Sequence, residues 1–203
     1  MPESTSVTQK VLKLARKQGL IRPSDLTKQG LPPDYLWRLE KSGLLIRLDR
    51  GLYMRADQDF SSQISLAEVG KRLPDGIICL LSALSFHELT LQIPHQIWVA
   101  VHPGRYHAQM ENLTLRYVHL SGRSLKEGIE YHQIDGVPLA IYSPAKTIAD
   151  CFKFRSVLGM ETVLQALKMG LQEQRFSLAE LTHFAAINRV EKVIRPYLEV
   201  LLA

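Results

Sequence analysis

Apolar residues at helical spacing open the chain: Val7, Val11, Leu12, Leu14 and Ala15 recur until Gly19, with Ser4, Thr5 and Ser6 offered as N-caps. A second, shorter helix is predicted over residues 24–29, capped by Ser24 and ended by Gly30. Pro32 and Pro33 then open a third helix, since proline is tolerated in a first turn where no intrahelical N–H is needed, and it continues to Gly43. Leu36 and Leu39 fall on its core-facing side, and Trp37 is read as a packing residue. On the other side Tyr35, Arg38 and Ser42, flanked by Asp34 and Lys41, make a hydrogen-bonding face suited to base edges. Two strand-like runs, 44–48 and 52–55, follow, joined by the turn Asp49-Arg50-Gly51. Three helices and a hairpin in this order predict a winged helix-turn-helix, with the third helix as recognition helix and the hairpin as wing.

Residues 56–63 are polar and turn-prone, so a boundary is expected between a domain of residues 1–58 and another of residues 62–203. In the second, Ile64, Leu66, Ala67, Val69 and Leu73 predict a helix ending before Pro74. The apolar run 77–81 leads to Ser82, a candidate cap for a helix through His87 to Leu89. Runs of β type appear at 97–101, 113–120, 128–134 and 137–142, with Asp135-Gly136 as a hairpin turn, which predicts a small, mostly antiparallel sheet. Ser143-Pro144 caps and opens a helix to Phe154, and three more are expected over 160–172, 177–187 and 189–202, where Ser177 and Glu180 form a capping box. The fold class expected is α+β: an N-terminal winged helix-turn-helix, then a domain with a sheet and several helices.

At 203 residues, 46% of them hydrophobic, the chain can bury a real core. The net charge of +5 favours a polyanionic partner, and its placement sharpens this: residues 1–60 hold 11 Lys and Arg against 7 Asp and Glu. Cys79 and Cys151 stand far apart in apolar surroundings and read as buried free thiols. No stretch matches a signal peptide or the ~18 apolar residues of a membrane span, so a cytoplasmic location and no membrane partner are expected.

The candidate DNA-binding residues are Ser24, Asp34, Tyr35, Arg38, Lys41 and Ser42 on the helices and Arg47, Arg50 and Arg55 on the wing, where guanidinium groups clamp phosphates or enter a minor groove. Lys10, Lys13, Arg16 and Lys17 on the first helix read as a solvated face. Enzyme chemistry finds little support. No acidic-x-Lys tripeptide of the metal-dependent nuclease type occurs, and Ala145-Lys146-Thr147 lacks the glycines of a phosphate loop. His102 and His107 lack neighbouring acidic or thiol ligands, so no metal and no cofactor are expected. His87 and His119 read as buried or partly buried. Lys146 and Asp150, four apart on one helix, suit an ion pair worth roughly a few tenths of a kcal/mol, with a polar site of Ser82, His87, Lys146 and Asp150 as the competing reading. The loop carrying Arg105, Tyr106 and His107 is read as an exposed loop of mixed charge, a second nucleic-acid patch with Arg116 being the alternative. The apolar surface of the last helices, from Leu164 to Leu201, is read mostly as core and partly as an interface.

Arg38-Leu39, Ser42-Gly43-Leu44-Leu45 and Leu48-Asp49-Arg50-Gly51-Leu52-Tyr53 resemble the N-terminal domain of the AbiEi family, the antitoxins and transcriptional regulators of type IV, abortive-infection toxin-antitoxin systems. Ser82-Ala83-Leu84 with His87, then Pro94 and Ile97-Trp98-Val99-Ala100-Val101, and Tyr142-Ser143-Pro144-Ala145-Lys146-Thr147-Ile148-Ala149-Asp150 resemble blocks of that family's C-terminal region. The resemblance implies a bacterial repressor that binds promoter repeats of its own operon on double-stranded DNA, as a homodimer or as cooperating monomers. It also implies that the chain counteracts a cognate nucleotidyltransferase-like toxin and is not an enzyme. Two other classes stand beside it: a nucleic-acid-processing enzyme targeted by its winged helix, and a winged helix used as a protein-interaction module.

Overall fold

Helical spacing and strand alternation resolve into two units in the computed structural model, which describes residues 6–58, 61–104 and 109–202. Cap positions Ser4 and Thr5, linker residues Asp59 and Phe60, and loop residues Arg105, Tyr106 and His107 lie outside the described residues. One unit comprises Met1–Pro74, Gln109–Asn112 and His132–Leu139; the other comprises Asp75–Ala108, Leu113–Tyr131 and Ala140–Ala203.

The first unit begins with α1 (Val7–Gln18), where Ser6 accepts from the Gln9 N–H and Gln9 returns the bond in a capping box. Then come β1 (Leu20–Ile21), α2 (Pro23–Lys28), α3 (Tyr35–Lys41), β2 (Leu45–Asp49), β3 (Leu52–Arg55) and α4 (Ile64–Arg72). β1, β3 and β2 form an antiparallel sheet in that order, pairing Leu20 with Met54 and Ile46 with Met54 from the other side. Val11, Ala15, Ile21, Leu26, Leu36, Leu39, Leu45 and Tyr53 make one core beneath the helices. This is the expected winged helix, with β1 added: two residues are too short for any periodicity to announce. Ser24 does not cap α2. Pro23 already occupies the first turn, and the Arg22 backbone N–H at the N-cap donates to the Asp25 carboxylate at 2.9 Å.

The second unit contains β4 (Ile77–Ile78), α5 (Leu80–Phe86), β5 (Ile97–Val101), β6 (Leu115–His119) and α6 (Gly122–Lys126). The hairpin β7 (Ile129–Ile134) and β8 (Val137–Tyr142) follows, its tip His132–Leu139 belonging to the first unit, then α7 (Pro144–Lys153), α8 (Arg155–Leu158), α9 (Met160–Gln172), α10 (Leu178–Asn188) and α11 (Glu191–Leu201). Asp135 and Gly136 both adopt positive φ, 48° and 78°, as a two-residue type I′ turn requires. The strand order is β6-β5-β4-β8-β7. The sheet is mixed, where a mostly antiparallel one was expected. β4 pairs antiparallel with β5, but β4 with β8 and β5 with β6 run parallel, because long connections rather than tight turns join them. Ser82, expected to cap α5, lies inside it; the helix starts earlier, after Cys79, and the Ser82 hydroxyl accepts the Trp98 N–H at 2.9 Å instead. Ser143 and Ser177 cap α7 and α10 as expected. In α7 every residue from Ala145 to Phe152 is buried, and α5, α9 and α10 pack around it.

Gly19, just beyond α1, illustrates how tightly the first unit is closed. Its φ is +68°, and a Cβ there would stand 1.4 Å from the Asp135 carbonyl oxygen. Gly19→Ala is therefore expected to cost at least about 1–3 kcal/mol from backbone strain alone. Urea unfolding would show this as a lower midpoint at unchanged slope; an unshifted midpoint would contradict it.

Candidate nucleic-acid interface

Leu36 and Leu39 turn one side of α3 into the core, so helical geometry turns Trp37, Arg38 and Lys41 outward. Beyond the Ser42 C-cap, Gly43 has a positive φ of 73° that lets the Leu44 N–H reach back to the Leu39 carbonyl at 2.9 Å. Trp37, read from the sequence as a packing residue, is 58% exposed, with the Lys41 ammonium 5.9 Å from its ring centre. The core is already filled on this side by Leu36 and Leu39, leaving an adjacent position no place inward.

The predicted contact residues divide by how their charge is held. Arg38 is paired with Asp34 at 2.8 Å, and its guanidinium lies 5.0 Å from the half-buried Tyr35 ring. The pair is well exposed, so it contributes little to stability and opens at small cost. Arg55 is bound to Asp57, with Nε 2.7 Å from the carboxylate, and this bond holds Asp57 below the usual carboxylate range. Lys41, Arg47 and Arg50 are exposed, and among the described residues none has a carboxylate partner; Arg47 only touches the Asp49 carbonyl at 3.3 Å. Ser42 donates to the Leu39 carbonyl at 3.0 Å, and Ser24 is exposed in α2.

Asp49, read from the sequence only as a turn residue, anchors the wing. It is 3% exposed, accepts the Arg50 N–H at 2.6 Å and pairs at 3.0 Å with Arg72 of α4. Arg72 also donates to the Arg50 carbonyl at 2.7 Å. Burial raises the Asp49 pKa, but the Arg50 and Arg72 bonds outweigh it and hold the carboxyl below its ordinary value. Glu68, one turn earlier on α4, is pushed upward by burial and by the nearby Asp49 charge.

The C-terminal candidates are all buried, and all have protein partners. Lys146 and Asp150 form an ion pair at 2.5 Å with side chains 0% and 1% exposed. Asn188 of α10 donates to Asp150 at 2.6 Å, Ser124 donates to Asn188 at 2.8 Å, and the Lys146 ammonium lies 4.1 Å from the Tyr142 ring centre. The intrahelical pair expected from the spacing is present, but burial raises its weight above roughly a few tenths of a kcal/mol, because losing one partner strands the other charge away from water. Burial drives the Lys146 pKa down and the Asp150 pKa up, each opposed by the other's charge. His87 lies 2.7 Å from the Tyr142 carbonyl, which can only accept, so Nε2 carries the proton. Ser82 bonds to Trp98 and does not enter the Lys146–Asp150 group. His119, expected buried or partly buried, is exposed on the edge strand β6. Cys79 and Cys151 are buried free thiols. Among the described residues no group of three His, Cys, Asp or Glu side chains is placed to hold a metal, and no helix is long and apolar enough to cross a membrane.

Residues 9–56, nearly the whole of α1 to β3, match the family model described as "Transcriptional regulator, AbiEi antitoxin". The fold is similar to that of the crystal structure of RV2827C protein from Mycobacterium tuberculosis, with a TM-score of 0.53 and 14% sequence identity over 91% of this chain and 84% of that chain. No curated protein matches the chain in sequence.

Two outcomes follow from the buried charges. Asp150→Ala is expected to destabilise the chain by about 3–5 kcal/mol, while replacing Lys146 and Asp150 together with apolar residues of similar volume costs far less; equal losses in chemical unfolding would overturn that. Because the folded Asp49 pKa lies below the ordinary 3.8, its contribution is complete above that value and is lost as pH falls through the folded pKa. The stability difference between wild type and Asp49→Asn should therefore shrink on acidification, and a difference independent of pH would contradict it.

Proposed function

We propose, from a winged helix similar to AbiEi antitoxin regulators, that the chain is a DNA-binding transcriptional regulator whose residues 1–58 read double-stranded DNA. The observation that carries this is the set of exposed cations without carboxylate partners among the described residues, Lys41 at the end of α3 and Arg47 and Arg50 on the wing. Backbone contacts by Arg47 and Arg50 supply affinity, and α3 supplies sequence choice through Arg38, Tyr35 and Ser42, with Ser24 of α2 as a backbone contact. Asp34 holds Arg38 in the free protein and releases it to a base edge or phosphate. Arg55, tied to Asp57, contributes through the same exchange.

On the family resemblance, the operator is a set of repeats in the chain's own promoter, bound by a homodimer or by cooperating monomers in the cytoplasm. Residues 62–203 then serve as the antitoxin-like domain, counteract a cognate nucleotidyltransferase-like toxin and have no catalytic role. The pairing of Ser82, His87, Lys146 and Asp150 with protein groups supports a structural part for them within that domain.

Fluorescence anisotropy with the DNA upstream of the reading frame, against a scrambled duplex over a salt series, tests the reading. Binding is expected to favour the upstream duplex and to weaken steeply with salt. Arg50→Ala should weaken both duplexes alike and reduce the logarithmic salt slope by about 1, while Arg38→Ala relaxes the preference between them. Absence of binding to either duplex at low salt would sink the proposal and direct attention to a protein partner for the winged helix.

A further inference from the structure

The geometry points to Trp37 as a base-reading residue: we infer that its indole packs against thymine methyl groups in the major groove. The inference rests on the DNA-binding reading above and extends it to a residue with no packing role in the core. Trp37 is 58% exposed on α3, between the core residue Leu36 and the outward Arg38. Leaving so large an apolar ring in water is unfavourable, and tryptophan placed outward on a recognition surface is a rigid anchor with few rotatable bonds. The Lys41 ammonium stands 5.9 Å from the ring centre, one helical turn along, and restricts the indole further.

The surrounding charge decides the occupant. Arg38, next to Trp37 in sequence, is balanced by Asp34, and Glu40 lies one turn on; the Lys41 ammonium beside the ring has no carboxylate partner among the described residues, and β2, against which α3 packs, carries the likewise unpaired Arg47. An exposed apolar ring beside an ammonium that has no carboxylate partner among the described residues suits a polyanion that also offers apolar groups, and duplex DNA offers one such group on its major-groove edges, the C5-methyl of thymine. An apolar protein groove would leave these cations desolvated without counter-charges. The indole Nε1–H adds a donor for an acceptor on a neighbouring base edge.

The test deletes the methyl and nothing else. Anisotropy is measured with the upstream duplex and with the same duplex carrying deoxyuridine in place of thymidine, using wild type, Trp37→Ala, Trp37→Phe and Arg50→Ala. Wild type should prefer the thymine duplex by about fourfold per methyl contacted. Trp37→Ala should bind the two duplexes equally, Trp37→Phe should keep part of the preference, and Arg50→Ala should keep it in full at lower affinity. The chain has two tryptophans, and Trp98 is buried, so the emission difference between wild type and Trp37→Ala isolates Trp37 and should change when the thymine duplex is added. Equal wild-type affinity for the two duplexes, a preference that survives in Trp37→Ala, or Trp37 emission indifferent to DNA overturns the inference while the DNA-binding reading stands. Failure of wild type to bind either duplex overturns both. The exposure of Trp37 makes loss of fold in Trp37→Ala unexpected, and an unchanged thermal midpoint checks it.

Discussion

The Lys146–Asp150 pair is the constraint around which the second unit is organised. Placing an ammonium and a carboxylate at essentially zero exposure inside α7 carries a desolvation cost of several kcal/mol per ion, which is recovered only if the remaining valences are also met. They are met by specific elements: Asn188 binds Asp150 from α10, Ser124 of α6 holds Asn188, and the Tyr142 ring at the end of β8 lies beside the ammonium. The Tyr142 carbonyl accepts from Thr147 at 3.1 Å and from His87. Strand end, central helix and two neighbouring helices are thus bound to one register. A greasy α7 would pack as tightly but would have no comparable reason to prefer one rotation about its axis. Gly128 fits the same picture, since a Cβ there would come within 2.7 Å of the Lys146 side chain.

The first unit treats charge in the opposite way. Its buried Asp49, at the turn of the wing, is spent on the scaffold, tying the wing to α4 through Arg72. The cations of α3 and the wing are left outside. Among them Arg38 and Arg55 are held by exposed carboxylates that compete weakly with phosphate, while Lys41, Arg47 and Arg50 have no such competitor among the described residues. Rigid backbone with loosely held cations is the combination that electrostatic recognition of a polyanion requires, because the backbone is ordered before binding and the counter-charges are supplied by the partner.

Most helices were legible because burial of a single stripe imposes a period on the sequence, as in α1 and α3, and because caps such as Ser143 and Ser177 are local chemistry. Features that depend on remote partners were not. The spacing of Lys146 and Asp150 suggested a pair, yet nothing local distinguished a solvated pair from one enclosed by α10 and β8. Asp49 in a turn tripeptide looked like turn chemistry, and only Arg72, far along the chain, gives it another role. The parallel pairings of β4 with β8 and β5 with β6 are likewise set by tertiary crossovers. The exposure of Trp37 runs against its residue type, since tryptophan is usually well buried; the helical phase of Leu36 and Leu39 is what places it outward.

The outward position of Trp37 bears on how α3 would work under the proposed DNA-binding function. With seven residues, α3 has few outward positions, and Trp37 occupies one of them where a short polar side chain would be cheaper in water. A tryptophan there adds exposed apolar area to a surface that otherwise relies on charge. Charge alone attracts every duplex equally, so an interface built only from Lys41, Arg47 and Arg50 would bind without choosing. Choice needs groups whose contact depends on base identity, and the outward side chains of α3 offer two kinds: the polar Arg38, Tyr35 and Ser42, and the apolar Trp37. Arg38 is already engaged by Asp34 and Ser42 by the Leu39 carbonyl, whereas Trp37, the apolar outward group of α3, would enter such a contact with no hydrogen bond or ion pair of its own to give up.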